Sequence, residues 1–206
     1  PMGLVANNPH HFAGAIDSPA SDKAARFLQL LDAFDLPCVS LMDCPGMMVG
    51  PEVESTGLVR HCARLFNTGA NVTIPMFALV IRKAYGLGVQ AMCGGSSLVP
   101  FSCATWPTGE FAGMGIEGSI KLGQRKQLEA IEDPKERLAL YNKLVDASYE
   151  RARAVYAVTN FGIDDVIDPA TSRTWLTSGV RSLPPDMEPA GWFKRTDKKR
   201  PNIDTW

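Results

Sequence analysis

A chain of 206 residues with 45% hydrophobic content can bury one real core, and two full domains would be a tight fit. Charged residues make up 21% and the formal net charge is -1, so no global basic field exists to draw in nucleic acid or an acidic membrane surface. The 18 glycines and 15 prolines favour an α/β protein with many tight turns over a helical bundle.

In chain order, residues 2–6 (MGLVA) and 12–16 (FAGAI) read as short strands around a polar loop from Asn7 to His11. A helix is predicted over about 21–34, capped by Ser21, with Ala25, Leu28, Leu31 and Ala33 on its apolar side. Residues 37–43 (PCVSLMD) read as a buried strand running into the loop CPGMMVGPEVES. A second amphipathic helix over 56–69 turns Leu58, Cys62, Leu65 and Phe66 inward. The run IPMFALVI (74–81) is the strongest strand, and its continuous apolarity predicts cover on both faces. Strands alternating with helices argue for α/β with a parallel sheet. After a short strand at 97–100 the chain reads as mainly helical, at about 115–122, 124–142, 146–159 and 169–179. A domain is thus expected over 1–182, and residues 183–206, rich in Pro, Lys and Asp, read as an extended tail.

The five cysteines, odd in number and without a CxxC pair, read as reduced structural thiols of a cytosol-like compartment. With three histidines, two of them adjacent, no ligand cluster has usable zinc spacing, so no metal is expected. No run of 18 apolar residues or signal-peptide pattern stands out. The start at Pro1, directly before a strand-like segment, fits a processed chain or an excised fragment.

Three segments carry candidate chemistry. In 81–95 (IRKAYGLGVQAMCGG) a buried strand ends at a glycine-flanked turn and a short helix begins. Backbone N–H groups there have no intrahelical partners, and two adjacent ones can hold an oxyanion. Leu87 and Gly88 are the candidate donors, with Gly86 and Gly88 permitting the sharp turn; such a turn is also common as plain structure. Asp43-Cys44-Pro45-Gly46 ends another strand, where ligands of α/β folds gather, although Asp43 serves equally well as a cap. Trp106 to Glu110, with Met114 and Gly115, is the third segment; Thr108 and Glu110 have two readings, as catalytic groups or as groups that satisfy loop amides. Cys93 has no assignable base and reads as a buried structural thiol. No Walker loop, GxSxG elbow or GxGxxG fingerprint is present.

These segments, in this order, resemble the carboxyltransferase subunit of biotin-dependent acyl-CoA carboxylases of the propionyl-CoA, methylcrotonyl-CoA and acetyl-CoA type. GLVANNP (3–9), AARFLQLLDAFDL (24–36), DCPGMMVG (43–50), IPMFALVIRKAYGLG (74–88), TWPTGEFAGMGIEGSIKL (105–122) and DDVIDPATSR (164–173) carry the resemblance. It implies a crotonase-like ββα spiral with additional C-terminal helices. It also implies that this chain is the biotin-facing half, with the CoA-binding half absent, which favours the excised fragment.

The resemblance assigns Leu87 and Gly88 as the amide pair for the biotin ureido oxygen, with biotin arriving as carboxybiotin on a carrier and no cofactor tightly bound. Tyr85, Gly86, Gln90, Pro45, Gly46, Pro107 and Thr108 are expected to line the ligand site. The implied partners are an acyl-CoA, the biotin carboxyl carrier and biotin carboxylase subunits or domains, the other carboxyltransferase half, and further copies in a hexamer. The implied location is the cytoplasm, or the mitochondrial matrix in a eukaryote. Three departures stand out: Leu87-Gly88 where the family usually has Gly-Ala, Gln90 where it often has Asp, and Met47-Met48 in place of Phe-Leu. Alternatives from the sequence are a decarboxylase subunit of the same superfamily, a crotonase-like hydratase or isomerase using a Glu, and a non-catalytic assembly domain. A half site is expected to be inactive alone.

Overall fold

The computed structural model describes residues 1–160 and 162–183. Their sheet is α/β and all-parallel, as the alternation of strands and helices predicts, with strands β1 (Gly3–Ala6), β2 (Cys38–Cys44), β3 (Met76–Tyr85), β4 (Ser102–Thr105), β5 (Glu110–Ala112) and β6 (Asp165–Val166). The order is β1-β2-β3-β4-β6, with β5 also on β3. β3 is long enough to serve two neighbours on one edge. Phe77–Val80 pair with β4, and Lys83–Tyr85 pair with β5.

The helices are α1 (Ser18–Ala33), α2 (Pro51–Glu54), α3 (Leu58–Asn71), α4 (Gly86–Met92), α5 (Ile116–Gly123), α6 (Arg125–Glu129), α7 (Pro134–Ala152), α8 (Ala154–Ala157) and α9 (Ser172–Arg181). Side chains alternate across β3. Ala78 and Val80 join Ala25, Leu28 and Leu31 of α1, Leu65 of α3, and Val89 and Met92 of α4 in one core. Phe77 and Leu79 face the other way, where Trp175 packs, with Leu176 and Val180 of α9 also against Phe77. The continuous apolar run is therefore covered on both faces.

Several elements differ from the sequence reading. Residues 12–16 form no strand but a single 3-10 turn, Phe12–Gly14, in which Phe12, Ala13 and Gly14 all have positive φ (47°, 54° and 91°). The first helix starts earlier than expected because Asp17, not Ser21, is its cap: its carboxylate accepts the Ala20 N–H at 2.9 Å. Ser21 lies fully buried inside the helix. The strand expected at 97–100 is a turn with Leu98 and Val99 exposed, since Pro100 has no N–H to give a ladder, and β4 begins at Ser102. The helices expected over 124–142 and 146–159 are cut elsewhere. Asp133 caps a new helix at Pro134, which runs unbroken to Ala152, where extended Arg153 ends it. The helix expected from 169 opens with one 3-10 turn, Pro169–Thr171, before α9. The strands β5 and β6 are too short to be legible as strands. The expected tail, apart from Leu183, falls outside the described residues, and Leu183 itself is buried with Val39 and Phe77.

Candidate functional site at the β3–α4 turn

β3 ends at Tyr85 and the chain turns directly into α4. Gly86 makes the turn with φ 56°, and a Cβ there would stand 2.8 Å from the Gly113 carbonyl oxygen. Gly88 has ordinary dihedrals, but a Cβ on it would lie 2.6 Å from Cys44 Sγ and 2.8 Å from Gly46 Cα. The two glycines thus let the turn be gripped between the loops after β2 and β5. The Leu87 and Gly88 N–H groups fall in the first helical turn, where no carbonyl four residues back can take them. The Leu87 side chain is 59% exposed. The arrangement offers adjacent backbone donors to an anionic oxygen.

Of the expected lining residues, Gly46 is brought beside Gly88, and Pro45 precedes it in the same loop. Gln90 is exposed on α4. Pro107 and Thr108 are not brought to the turn. Thr108 Oγ1 donates to the Ile81 carbonyl at 2.5 Å, and Ile81 lies five residues before Gly86, about 16 Å back along an extended strand. Tyr85 is at the turn, but its side chain is 3% exposed and faces inward. Its hydroxyl donates to Glu110 Oε2 at 2.8 Å, and Lys83 Nζ lies 5.9 Å from its ring centroid. Burial first, then the Glu110 carboxylate, push the Tyr85 phenol far above its ordinary value, so it stays a donor.

Asp43 holds strands together. It accepts Arg82 Nε at 3.1 Å and Nη2 at 2.9 Å, together with the Lys83 backbone N–H at 3.2 Å. Sequence reasoning missed the support behind the Pro45–Gly46 loop. Ile16 N–H donates to the Gly46 carbonyl at 3.1 Å, and Met48 N–H donates to the Ile16 carbonyl at 2.9 Å. Asn7 Nδ2 donates to the Gly14 carbonyl at 3.0 Å, and a Cβ on Gly14 would run into the Asp43 carbonyl oxygen. The GLVANNP segment contained Asn7, but nothing local announces a partner across a left-handed turn. A cavity of about 650 Å³ opens between β1 and α1, with Asn7, Ile16, Phe27, Leu65 and Met92 among its walls and neither Leu87 nor Gly88.

All five cysteines are buried and unpaired. Burial pushes the Cys38 thiol up to about 12 and the Cys44 thiol up to about 11, and raises Cys62. A hydrogen bond with Cys103, together with burial, raises Cys93, so it is no poised nucleophile. In the unfolded chain these thiols ionise near 9.0, so folding, which favours the neutral form, gains their full support below that pH and loses it as pH climbs toward 11 and 12. The melting temperature is expected to hold up to about pH 9 and then fall, with a shallower fall in Cys44→Ala. A pH series of melts on both proteins checks this; equal slopes would remove Cys44 as a cause.

Among the described residues, no group of three or more His, Cys, Asp or Glu is placed to hold a metal, and no helix is long and apolar enough to cross a membrane.

The family model for the carboxyl transferase domain matches residues 1–187. The propionyl-CoA carboxylase carboxyltransferase subunit of Haloferax mediterranei is 34% identical over 203 residues, covering 98% of this chain and 38% of that protein. Among solved structures, a single-chain, multi-domain long-chain acyl-CoA carboxylase aligns with TM-score 0.77 at 48% identity, over 86% of this chain and 17% of that one. Transcarboxylase 12S, a hexamer assembly with methylmalonyl-CoA and methylmalonic acid bound, aligns with TM-score 0.79 at 34% identity, over 98% of this chain and 38% of that one. The chain spans little more than a third of the length of the curated relatives it matches.

Proposed function

The chain belongs to the carboxyl transferase domain family, and on that premise we propose that it supplies the biotin-side half of a site moving a carboxyl group between carboxybiotin and an acyl-CoA. Its fold is the crotonase-like α/β architecture of the solved carboxyltransferases, with helices α5 to α9 following the strand and helix repeats. The observation that carries the proposal is the β3–α4 turn. Two adjacent amides without intrahelical partners stand there in a cradle kept open by glycines, since a side chain at 88 would fill the space against Gly46.

Biotin, presented by its carrier, supplies the ureido group that accepts and releases the carboxyl. The Leu87 and Gly88 N–H groups hold its oxygen and stabilise negative charge there, and because the backbone is already fixed, little reorganisation accompanies the charge. Pro45 and Gly46 form the adjacent wall. No side-chain nucleophile is required, which accords with the engagement of Asp43, Glu110 and the cysteines in structural contacts. The CoA-binding half, the biotin carboxyl carrier, the biotin carboxylase and assembly into a hexamer belong to the same reading. So does the division into a domain over 1–182 and a tail over 183–206.

The test uses the complete protein that carries this chain, given malonyl-CoA or methylmalonyl-CoA with and without free biocytin. Turnover that needs biocytin is expected. Turnover indifferent to biocytin would favour a decarboxylase or hydratase, and no turnover would favour an assembly role. This chain alone is expected to show no carboxyl transfer, because the donors for the thioester enolate lie in the other half.

A further inference from the structure

α5 and α7 pack on each other beyond the sheet, and one buried side chain joins them to the turn. The Tyr85 ring lies in a cluster with Ile116 of α5 and Ala152 of α7, against which Ala112, Val145 and Tyr149 also pack. Its hydroxyl is tied to Glu110 at 2.8 Å. Tyr149, in the same cluster, donates to Glu117 Oε1 at 2.6 Å, so α7 is bonded to the first turn of α5. Glu110 sits on β5 in register with Lys83, and the backbone of Glu110 also bridges to Arg153 at the end of α7. Tyr85 is the N-cap of α4, so its anchored ring holds the backbone directly before Gly86.

We propose that Tyr85 and Glu110 are positioning residues that fix the direction of the Leu87 and Gly88 N–H groups, with the α5–α7 pair as their buttress. The inference rests on the carboxyltransfer reading of that turn. Tyr85 touches no ligand in this role. It acts through the peptide planes that follow it, where misplacement by an ångström is enough to cost about 100-fold in rate. Glu110 acts as an acceptor, not as an acid or base, so an amide in its place retains the function.

The experiment compares Tyr85→Phe, Glu110→Ala and Glu110→Gln in the complete protein, with Ile167→Ala as a destabilised control whose side chain is buried with Leu79 and Ala104, outside the Tyr85 cluster. Biocytin-dependent turnover and amide hydrogen exchange across residues 86–92 are measured. Tyr85→Phe and Glu110→Ala are expected to lower kcat by about 10- to 100-fold with little change in KM for biocytin. They should also speed exchange in 86–92. Glu110→Gln should restore both measures, and Ile167→Ala should alter neither. Wild-type kcat in Glu110→Ala, or loss in Glu110→Gln equal to that in Glu110→Ala, overturns the positioning role. If the unmutated protein shows no biocytin-dependent turnover, the carboxyltransfer reading fails and takes this inference with it. The exchange data would then show separately whether Glu110 still orders the turn.

Discussion

Proline at Gly88 is expected to lower biocytin-dependent carboxyl transfer by at least about 100-fold, the scale for losing one donor of an oxyanion hole. The cause is the missing N–H, one of the two amides that the proposed site offers. Gly88 stands in the first turn of α4, where no carbonyl four residues back takes that N–H, so proline removes no helical hydrogen bond there. Any side chain at 88 would place its Cβ 2.6 Å from Cys44 Sγ and 2.8 Å from Gly46 Cα. Gly88→Ala, which adds the Cβ and keeps the N–H, therefore separates close approach from loss of the donor, and it brings no dihedral strain because Gly88 has no positive φ. Gly88→Ala is expected to keep most of the activity. A Gly88→Pro protein that folds, elutes like the wild type and turns over at the wild-type rate would remove this turn from the mechanism.

Phe77→Ala is expected to cost about 3–5 kcal/mol of stability, the usual range for truncating a fully buried aromatic ring. Phe77 is 0% exposed at the centre of the sheet. Its ring meets Phe101 at 5.5 Å and Trp175 edge-on at 6.2 Å. α9 approaches so closely that a Cβ on Gly179 would stand 2.6 Å from the ring, so the helix is seated on Phe77 itself. Urea denaturation followed by tryptophan fluorescence is expected to show an earlier midpoint with an unchanged slope. A loss under about 1 kcal/mol would mean that α9 collapses into the space and that the second face of the sheet is less tightly packed than the structure indicates.

The elements legible in advance were those whose signal is local. The run at 74–81 is apolar at every position, and a strand with both faces covered is the structure that accommodates that pattern. α1 and α3 carry apolar residues three and four apart, and both formed within a few residues of the expected bounds. The Asp133-Pro134 break in the long helix was also local, a cap followed by a residue suited to the first helical position, but the periodicity on either side masked it. The 3-10 turn at Phe12–Gly14 was masked differently, because two non-glycine residues adopt positive φ there and residue type does not announce it.

For the candidate site, the segments were readable and their relations were not. Composition and periodicity pointed to an α/β protein, and the resemblance of its segments pointed to the carboxyltransferases and proposed donors at Leu87 and Gly88. Only the tertiary structure decided that Gly88 rests on Gly46, that Thr108 sits back at Ile81, and that Tyr85 turns inward to Glu110. Hydrophobic periodicity reports which face of an element is buried, and turn residues report where the chain bends. Contacts between residues 25 or more positions apart depend on strand register and on how closely two backbones can approach. Those quantities are set by the packing of the whole core.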